Sequence, residues 1–458
     1  MTMYAIAIDL GTTTLAASLI DCANGERLAV SGALNPQRRF GADVISRLDA
    51  AVNSAELQME MTALIRAELR RIGQGLCDTA SIAWSDIRKV AIAGNPAMQH
   101  ILLGLVLQSL AFPPFRPLYT DGTHLKAADL DWDGCADIYL FPMPGGFVGG
   151  DTVAFVYGLV KAGSRGKGQE SKGQGSRVKG QEEAFGLTLP LDPCPLTLTP
   201  ALCLDIGTNG EIALITEELI WATSAAAGPA FEGGNLSCGM AALPGAISSV
   251  LIEGERLRLQ VIGDGQPSGI CGSGAIEAIT ELLRCNILEV GGRLRGADEI
   301  DSNLASRVID YRGANAFVLH RDAERLILLS QDDIRQLQLA KAALRAGIDV
   351  LAQRSCIQCH ALKDVILTGS FGAVLKAGWL KTIGIFDESM VQTSRFTPEG
   401  VLAGVELAVA GKEGFSAVEE LAARFRVVPL SGTPLFETLF MRHIDFSHNR
   451  FDSSDSLS

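Results

Sequence analysis

In "AIAIDLGTTTLAASLID" (residues 5–21) two strand-length apolar runs are broken by a tight glycine-threonine turn. The pattern predicts a β-hairpin with a single aspartate, Asp9, at the edge of its tip. "ALCLDIGTNGEIALITE" (201–217) repeats the design, with Asp205, Gly207 and Thr208 matching Asp9, Gly11 and Thr12 position for position. After the first hairpin the apolar positions take a helical period around 54–72 and return to a short strand, "KVAIAG", at 89–94. In "NPAMQHILLGLVL" Asn95 is suited to cap a helix and Pro96 to begin it. A second strand-to-helix junction, "IYLFPMPGGFVGGDTVAFVYGLVKAG", follows. Beyond the second hairpin come "GICGSGAIEAITELLRC", a long helix near 332–353, the passage "DVILTGSFGAVLKAG", and a closing helical segment from about residue 399.

Alternating strands and helices predict an α/β fold in mixed layers, and the duplicated hairpin predicts two related lobes, at 1–160 and 200–398. Residues 163–183, "GSRGKGQESKGQGSRVKGQEE", hold almost no apolar side chain and cannot bury enough surface to order themselves. Residues 161–199 therefore read as a linker or insertion, 399–446 as the closing helical segment, and 447–458 as a disordered tail.

A chain of 458 residues is long enough for two cores. Its 47% hydrophobic and 20% charged composition is that of an ordinary soluble enzyme. No apolar run reaches the roughly 18 residues of a membrane helix; "ILLGLVLQSLAF" (101–112) is too short and prolines follow it. "MTMY" leads straight into a strand, so no signal peptide is expected. A formal charge of −13 opposes general nucleic-acid binding and anionic membrane surfaces. The ten cysteines are scattered, mostly in apolar runs (Cys77, Cys203, Cys285), as in a reduced cytoplasmic protein. Cys356 and Cys359, in "CIQCH", are closely spaced, but one C-x-x-C falls short of the four ligands of a closed metal site. They read as a loop between a helix and a strand.

A glycine-threonine turn after a strand points backbone N–H groups outward as a cradle for anionic oxygen. Threonine hydroxyls add donors, and an aspartate just before the turn can hold a cation or its waters. Two such tips facing one another would grip a polyphosphate while Mg²⁺ neutralises it. The candidates are Gly11, Thr12 and Thr13 on one tip and Gly207, Thr208 and Asn209 on the other, with Asp9 and Asp205 as water-mediated Mg²⁺ partners. In "TGSFGAVL" (368–375), Gly369 and Gly372 would let backbone pack against a base or ribose. Gly272, Ser273 and Gly274 form another glycine-rich helix entry, suited to ribose or phosphate.

This set of motifs, spread over nearly the whole chain, resembles the acetate and sugar kinase, Hsp70 and actin superfamily of ATPases (ASKHA). The resemblance implies two actin-like, ribonuclease H-like lobes around an interlobe nucleotide cleft, with ATP and Mg²⁺ bound. It also implies that Asp151, in "GGDTVA" (149–154), orients or deprotonates the attacking water or hydroxyl. "NPQRRFGADVISRL" (35–48), "GNPAMQHILLGL" (94–105), "PGGFVGGDTVA" (144–154), "AAAGPAFEGGNLSCGMAALPGAI" (225–247), "ICGSGAIEAITELL" and "VVPLSGTPLFETLFMRHIDF" (427–446) are more specific. They resemble the ATPase core of reductive activators of corrinoid proteins. That resemblance implies ATP-assisted return of a Co(II) corrinoid to methyl-accepting Co(I), a corrinoid protein as partner, and a homodimer. Loops 35–48 and 229–245 would meet the partner, with Arg38, Arg39, Phe231 and Glu232 as contacts.

Two features depart from that family. Its members usually carry a ferredoxin-like domain with C-x₄-C-x₂-C spacing, whereas here the first hairpin starts at residue 4 and Cys22 is the sole cysteine before Cys77. No built-in iron–sulfur cluster is evident, so an external ferredoxin-like reductant is expected. "PEGVLAGVELA" (398–408) is a worn version of the family's Gly-Asn-Ala segment. The competing readings are a small-molecule kinase using Asp151 as base and an activase of the 2-hydroxyacyl-CoA dehydratase kind. Loop 225–247 has few hydroxyl-reading side chains for a kinase substrate, and Cys271 falls where the activase keeps one cluster ligand.

Overall fold

In the computed structural model the first hairpin is formed by β1 (Tyr4–Leu10) and β2 (Thr14–Asp21), paired antiparallel without a break. The structure describes residues 3–41, 43–134, 136–165, 199–207, 209–263, 265–369, 375–411 and 414–446. β3 (Glu26–Leu34) pairs with β2, β4 (Ile87–Gly94) runs parallel to β1, and β5 (Thr123–Lys126) and β6 (Asp137–Leu140) complete a sheet of order β3-β2-β1-β4-β6-β5. Strand alternation sorts its residues. Ile6, Ile8 and Leu10 face a core shared with α1 (Val44–Asn53), α2 (Ala55–Ala80), α3 (Pro96–Leu103) and α4 (Gln108–Ala111), while Ala5 and Ala7 face the opposite side. Ser54 caps α2 by accepting from Leu57 N–H, and α2 runs beyond residue 72, where its expected span ended. Asn95 caps α3 by accepting from Met98 N–H, with Pro96 in the first turn, as expected. α5 (Gly150–Arg165) closes this half.

The second half repeats the plan. β7 (Ala201–Ile206), β8 (Gly210–Ile215) and β9 (Ile220–Ala225) form an antiparallel meander. Two small sheets follow: β10 (Ala246–Glu253), β11 (Arg256–Val261) and β12 (Gly269–Ile270), then β13 (Val308–Tyr311), β14 (Ala314–Arg321) and β15 (Leu326–Ser330), with α6 (Gly272–Arg284) between them. α7 (Gln331–Ser355) leads to β16 (Asp364–Thr368), parallel to β7. α8 (Ala377–Thr382), α9 (Glu388–Thr393), β17 (Ser394–Phe396), α10 (Gly400–Ala410), α11 (Ser416–Ala422), β18 (Phe425–Val427) and α12 (Pro434–Arg442) complete the described chain. The sheet order is β17-β16-β7-β8-β9-β18, so β9-β8-β7-β16 copies β3-β2-β1-β4.

Both sheets turn small side chains inward, Ala5, Ala7 and Ala91 from one and Ala201, Cys203 and Ala213 from the other. The space between them is filled by α5 and α10, through Val153, Phe155, Leu402 and Val405. The helices cross closely: a Cβ on Gly404 would lie 1.8 Å from the Ala154 carbonyl oxygen, and one on Gly158 would lie 3.1 Å from the Gly404 Cα. The segment read as closing the chain thus begins with a helix buried at its centre. Arg27 of β3 reaches α10, pairing with Glu406 at 2.7 Å and with Glu399 at 2.8 Å. Among the described residues no helix is long and apolar enough to cross a membrane.

Candidate functional site

The first tip reaches the turn that follows β9, where Thr13 Oγ1 donates to Glu232 Oε2 at 3.2 Å. Glu232 also stands beside the second tip, its Oε1 3.5 Å from where a Cβ on Gly207 would be. At the first tip Gly11 is required by closeness, since a Cβ there would lie 2.3 Å from the Thr14 carbonyl oxygen. Three successive carbonyls of this tip accept bonds from residues packed behind it. Asn35 Nδ2 donates to Gly11 O at 2.9 Å, Arg47 Nη2 to Thr12 O at 2.7 Å, and Asn35 N–H to Thr13 O at 2.9 Å. Asn95 Nδ2 donates to Thr12 Oγ1 at 2.9 Å. At the second tip Gly207 N–H bonds Asn209 O at 3.2 Å. Gly369, with φ +91°, holds the turn after β16 against Asp205, where a Cβ would lie 2.3 Å from Oδ1.

Carboxylates crowd the space between the tips. Each keeps part of its surface open to solvent. The Asp9 carboxyl is held well above its ordinary range, first by burial and then by Asp205, Asp151 and Glu399. Asp205 is pushed to about 7 by burial, then by Asp151 and Glu232. Asp151, in the first turn of α5, is raised to about 6 by burial, against the pull of the Thr152 N–H at 2.7 Å. Glu211, paired with Asp205 across the second hairpin, is raised by burial and by Asp151 and Asp205. Carboxylates that hold one another's protons on mark a site short of positive charge. Their oxygens are the hard donors that Mg²⁺ takes, and Mg²⁺ binds through one or two carboxylates while keeping several waters. Among the described residues no group of three or more metal-ligating side chains is preformed.

The profile of the RACo middle region matches residues 4–160, and that of the C-terminal domain of RACo, the ASKHA domain, matches residues 199–458. The chain is 30% identical over 98% of its length to the corrinoid activation enzyme RamQ of Eubacterium limosum. The chain belongs to the RACo family of reductive activators of corrinoid proteins. A [Co(II) methylated amine-specific corrinoid protein] reductase of Methanosarcina barkeri is 24% identical over 83% of the chain. A solved reductive activator for a corrinoid, iron–sulfur protein superposes on 97% of the chain with a TM-score of 0.78 and 26% identity. The chain spans 71%, 65% and 66% of these three relatives in turn. The ASKHA domain of the family is a nucleotide-binding fold, and the α/β architecture of two repeated lobes agrees with it.

Other members of the expected set are placed unevenly. Thr208 and Gly372 lie outside the described residues, as do 166–198 of the expected linker and the 447–458 tail. Gly272, Ser273 and Gly274 are buried at the start of α6. A Cβ on Gly274 would lie 2.3 Å from Ile247 O, and Ser273 Oγ donates to Ser248 O at 3.2 Å, so their small size seats α6 on β10. One turn on, Glu277 meets Lys376, the residue before α8, at 3.5 Å. Cys271 is 2% exposed, with its Sγ 3.4 Å from Ile247 O, whereas a thiol shared between subunits must reach the surface. Phe231 is 1% exposed in the second-lobe core and is no surface contact, while Arg38 and Arg39 are exposed. Cys356 ends α7 and Cys359 precedes β16, the loop that their spacing suggested. Arg47, Asn35 and Glu211 were not singled out from the sequence. Arg47 did leave a signal: it sits at core spacing with Val44, Leu48 and Ala51 on α1.

Proposed function

We propose that this chain is the ATP-hydrolysing core of an activator that returns a corrinoid protein from Co(II) to Co(I), with the electron supplied by a separate iron–sulfur donor. The observation that carries the reading is the joining of Asp9, Asp151 and Asp205 between two hairpin tips bridged by Thr13 and Glu232. The backbone of residues 11–13 and 207–209 would cradle the phosphates. Asp9 and Asp205 would hold Mg²⁺ through its waters, and the ion supplies neutralisation of phosphate charge. Asp151, with a carboxyl near 6, is largely ionised at neutral pH and still basic enough to take a proton from attacking water. Gly369 would border the nucleoside.

Reduction of Co(II) is uphill, and a nucleotide can help only by binding one conformation better than another. The Thr13–Glu232 bond supports such a coupling, because a change at the phosphates reaches loop 229–245 directly. The reading includes a cytoplasmic setting and a homodimer, the latter open to sedimentation measurement. The decisive experiment follows ATP hydrolysis and Co(I) absorbance with a corrinoid protein and an iron–sulfur reductant present. Asp9→Ala and Asp205→Ala should each lower both signals by about 100-fold or more, the range for removing a group that stabilises developing charge. An unchanged Co(I) yield in those variants would sink the proposal.

A further inference from the structure

Arg47 is 0% exposed, yet among the described residues no carboxylate bonds to it. Its Nε donates to Gly41 O at 3.0 Å, Nη1 contacts Gln37 Oε1 at 3.5 Å and Met98 Sδ at 3.4 Å, and Nη2 donates to Thr12 O at 2.7 Å. The nearby acid, Asp43, is occupied at the start of α1, where it accepts from Ser46 N–H at 2.8 Å and Ser46 Oγ at 2.6 Å. The other charge near Arg47 is a second cation, Arg38. Burial and Arg38 bring the guanidinium down to about 10, so it remains charged at neutral pH. A buried cation with only neutral partners is costly.

Its position supplies a reason. A trans peptide is planar, so a carbonyl turned one way sends the N–H of the next residue the other way. Gly11 O and Thr12 O point back to Asn35 and Arg47. The N–H groups of Thr12 and Thr13 therefore point away from these residues. We propose that Arg47 is a positioning residue for the phosphates: it fixes the first tip with its N–H groups forward, sets a permanent positive charge behind them, and ties the tip to residues 36–41. That charge also offsets the carboxylates a polyphosphate must approach. Through Gly41 O and Gln37 the same side chain braces the segment carrying the exposed Arg38 and Arg39. The inference rests on the reading of the tips as a nucleotide clamp.

The test titrates the full chain with ATP and with adenosine, both with Mg²⁺, in the wild type, Arg47→Lys and Arg47→Met. Arg47→Met should weaken ATP by about 10- to 100-fold, as expected for loss of a charged hydrogen bond, and leave adenosine within about two-fold. Arg47→Lys should recover part of the ATP affinity. A variant that loses ATP and adenosine alike, or that binds ATP as the wild type does, overturns the role of Arg47. A wild type that binds no ATP overturns the clamp itself, and the inference with it. Amide exchange on the wild type gives a reading independent of any variant's folding. Mg-ATP, but not adenosine, should slow exchange over residues 36–47, and equal exchange in both would also overturn the inference.

Discussion

The tip between β1 and β2 and the tip between β7 and β8 share a motif and a topology, yet they stand in opposite electrostatic settings. Behind the first are donors: Asn35, Asn95 and a buried arginine. Around the second, among the described residues, are acceptors: Glu211 across the hairpin and Glu232 beside Gly207. On the proposed reading, the donors behind the first tip add to its hold on anionic oxygen, and the acceptors around the second add to the hold of Asp9 and Asp205 on a cation. Duplication built the strands and their turns, while the residues packed behind each turn determine which charge it receives.

Two equivalent glycines give the largest test of that difference. Gly94 ends β4 opposite Leu10, and Gly369 follows Thr368, which pairs with Asp205. A Cβ on Gly94 would meet Leu10 O at 2.7 Å, a matter of packing alone. A Cβ on Gly369 would meet the Asp205 carboxylate, and its φ of +91° disfavours any side chain. Gly369→Ala should lower ATP turnover by about 10- to 100-fold, the scale of a misplaced catalytic group. Gly94→Ala should cost about 1–3 kcal/mol of stability, as overpacking does, and spare turnover. Denaturant unfolding and steady-state hydrolysis on both variants would measure the contrast. Equal losses of activity would mean that the second tip has no special hold on the metal.

That contrast also shows what the sequence made legible. The strands, the hairpin repeat and the Asn95 cap follow from local pattern, because period and turn chemistry are local properties. The equivalence of "AIAG" and "ILTG" at the ends of β4 and β16 lay in the sequence too, but it becomes meaningful only when each strand is seen beside its hairpin. α10 reads as the start of a closing helical segment, though apart from Glu406 its residues are apolar, the mark of a helix enclosed on most sides. Arg47 stayed hidden because an arginine in an amphipathic helix is ordinarily solvated, and only packing reveals that it has no carboxylate. The buried start of α6 and the buried Phe231 show the opposite limit: glycine-rich and aromatic motifs mark close packing as readily as contact with a ligand.

The acidic second tip makes a prediction about pH. Asp205 and Asp151 titrate near 7 and 6 in the folded chain, above the ordinary aspartate value of 3.8. The native state therefore binds more protons than the unfolded state between the ordinary value and about 7, and stability falls as pH rises through that window. The ligand-free chain should melt lower at pH 8 than at pH 5, by about 1 °C for each kcal/mol lost. Millimolar Mg²⁺ should restore the Tm at pH 8 and do little at pH 5, where the carboxyls are largely protonated. A Tm that rises with pH in the absence of metal would show that the carboxylates are already compensated.

The smallest expected effect lies at the bond that joins the tips. Thr13→Val keeps the shape of the side chain and removes the hydroxyl that donates to Glu232 at 3.2 Å. One such bond contributes about 1 kcal/mol net, so ATP affinity measured alone should fall by about five-fold. The larger consequence should appear in coupling. If Glu232 carries the state of the phosphates to loop 229–245, stimulation of hydrolysis by a corrinoid protein should fall further than affinity does, because the valine variant can still bind nucleotide with lobes no longer tied through this pair. Glu232→Gln, which keeps a carbonyl acceptor for Thr13 but loses the charge, separates the two contributions. Retained stimulation in Glu232→Gln with loss in Thr13→Val would assign the coupling to the hydrogen bond; loss in Glu232→Gln with retention in Thr13→Val would assign it to the negative charge, and loss in both to a bond that needs the carboxylate.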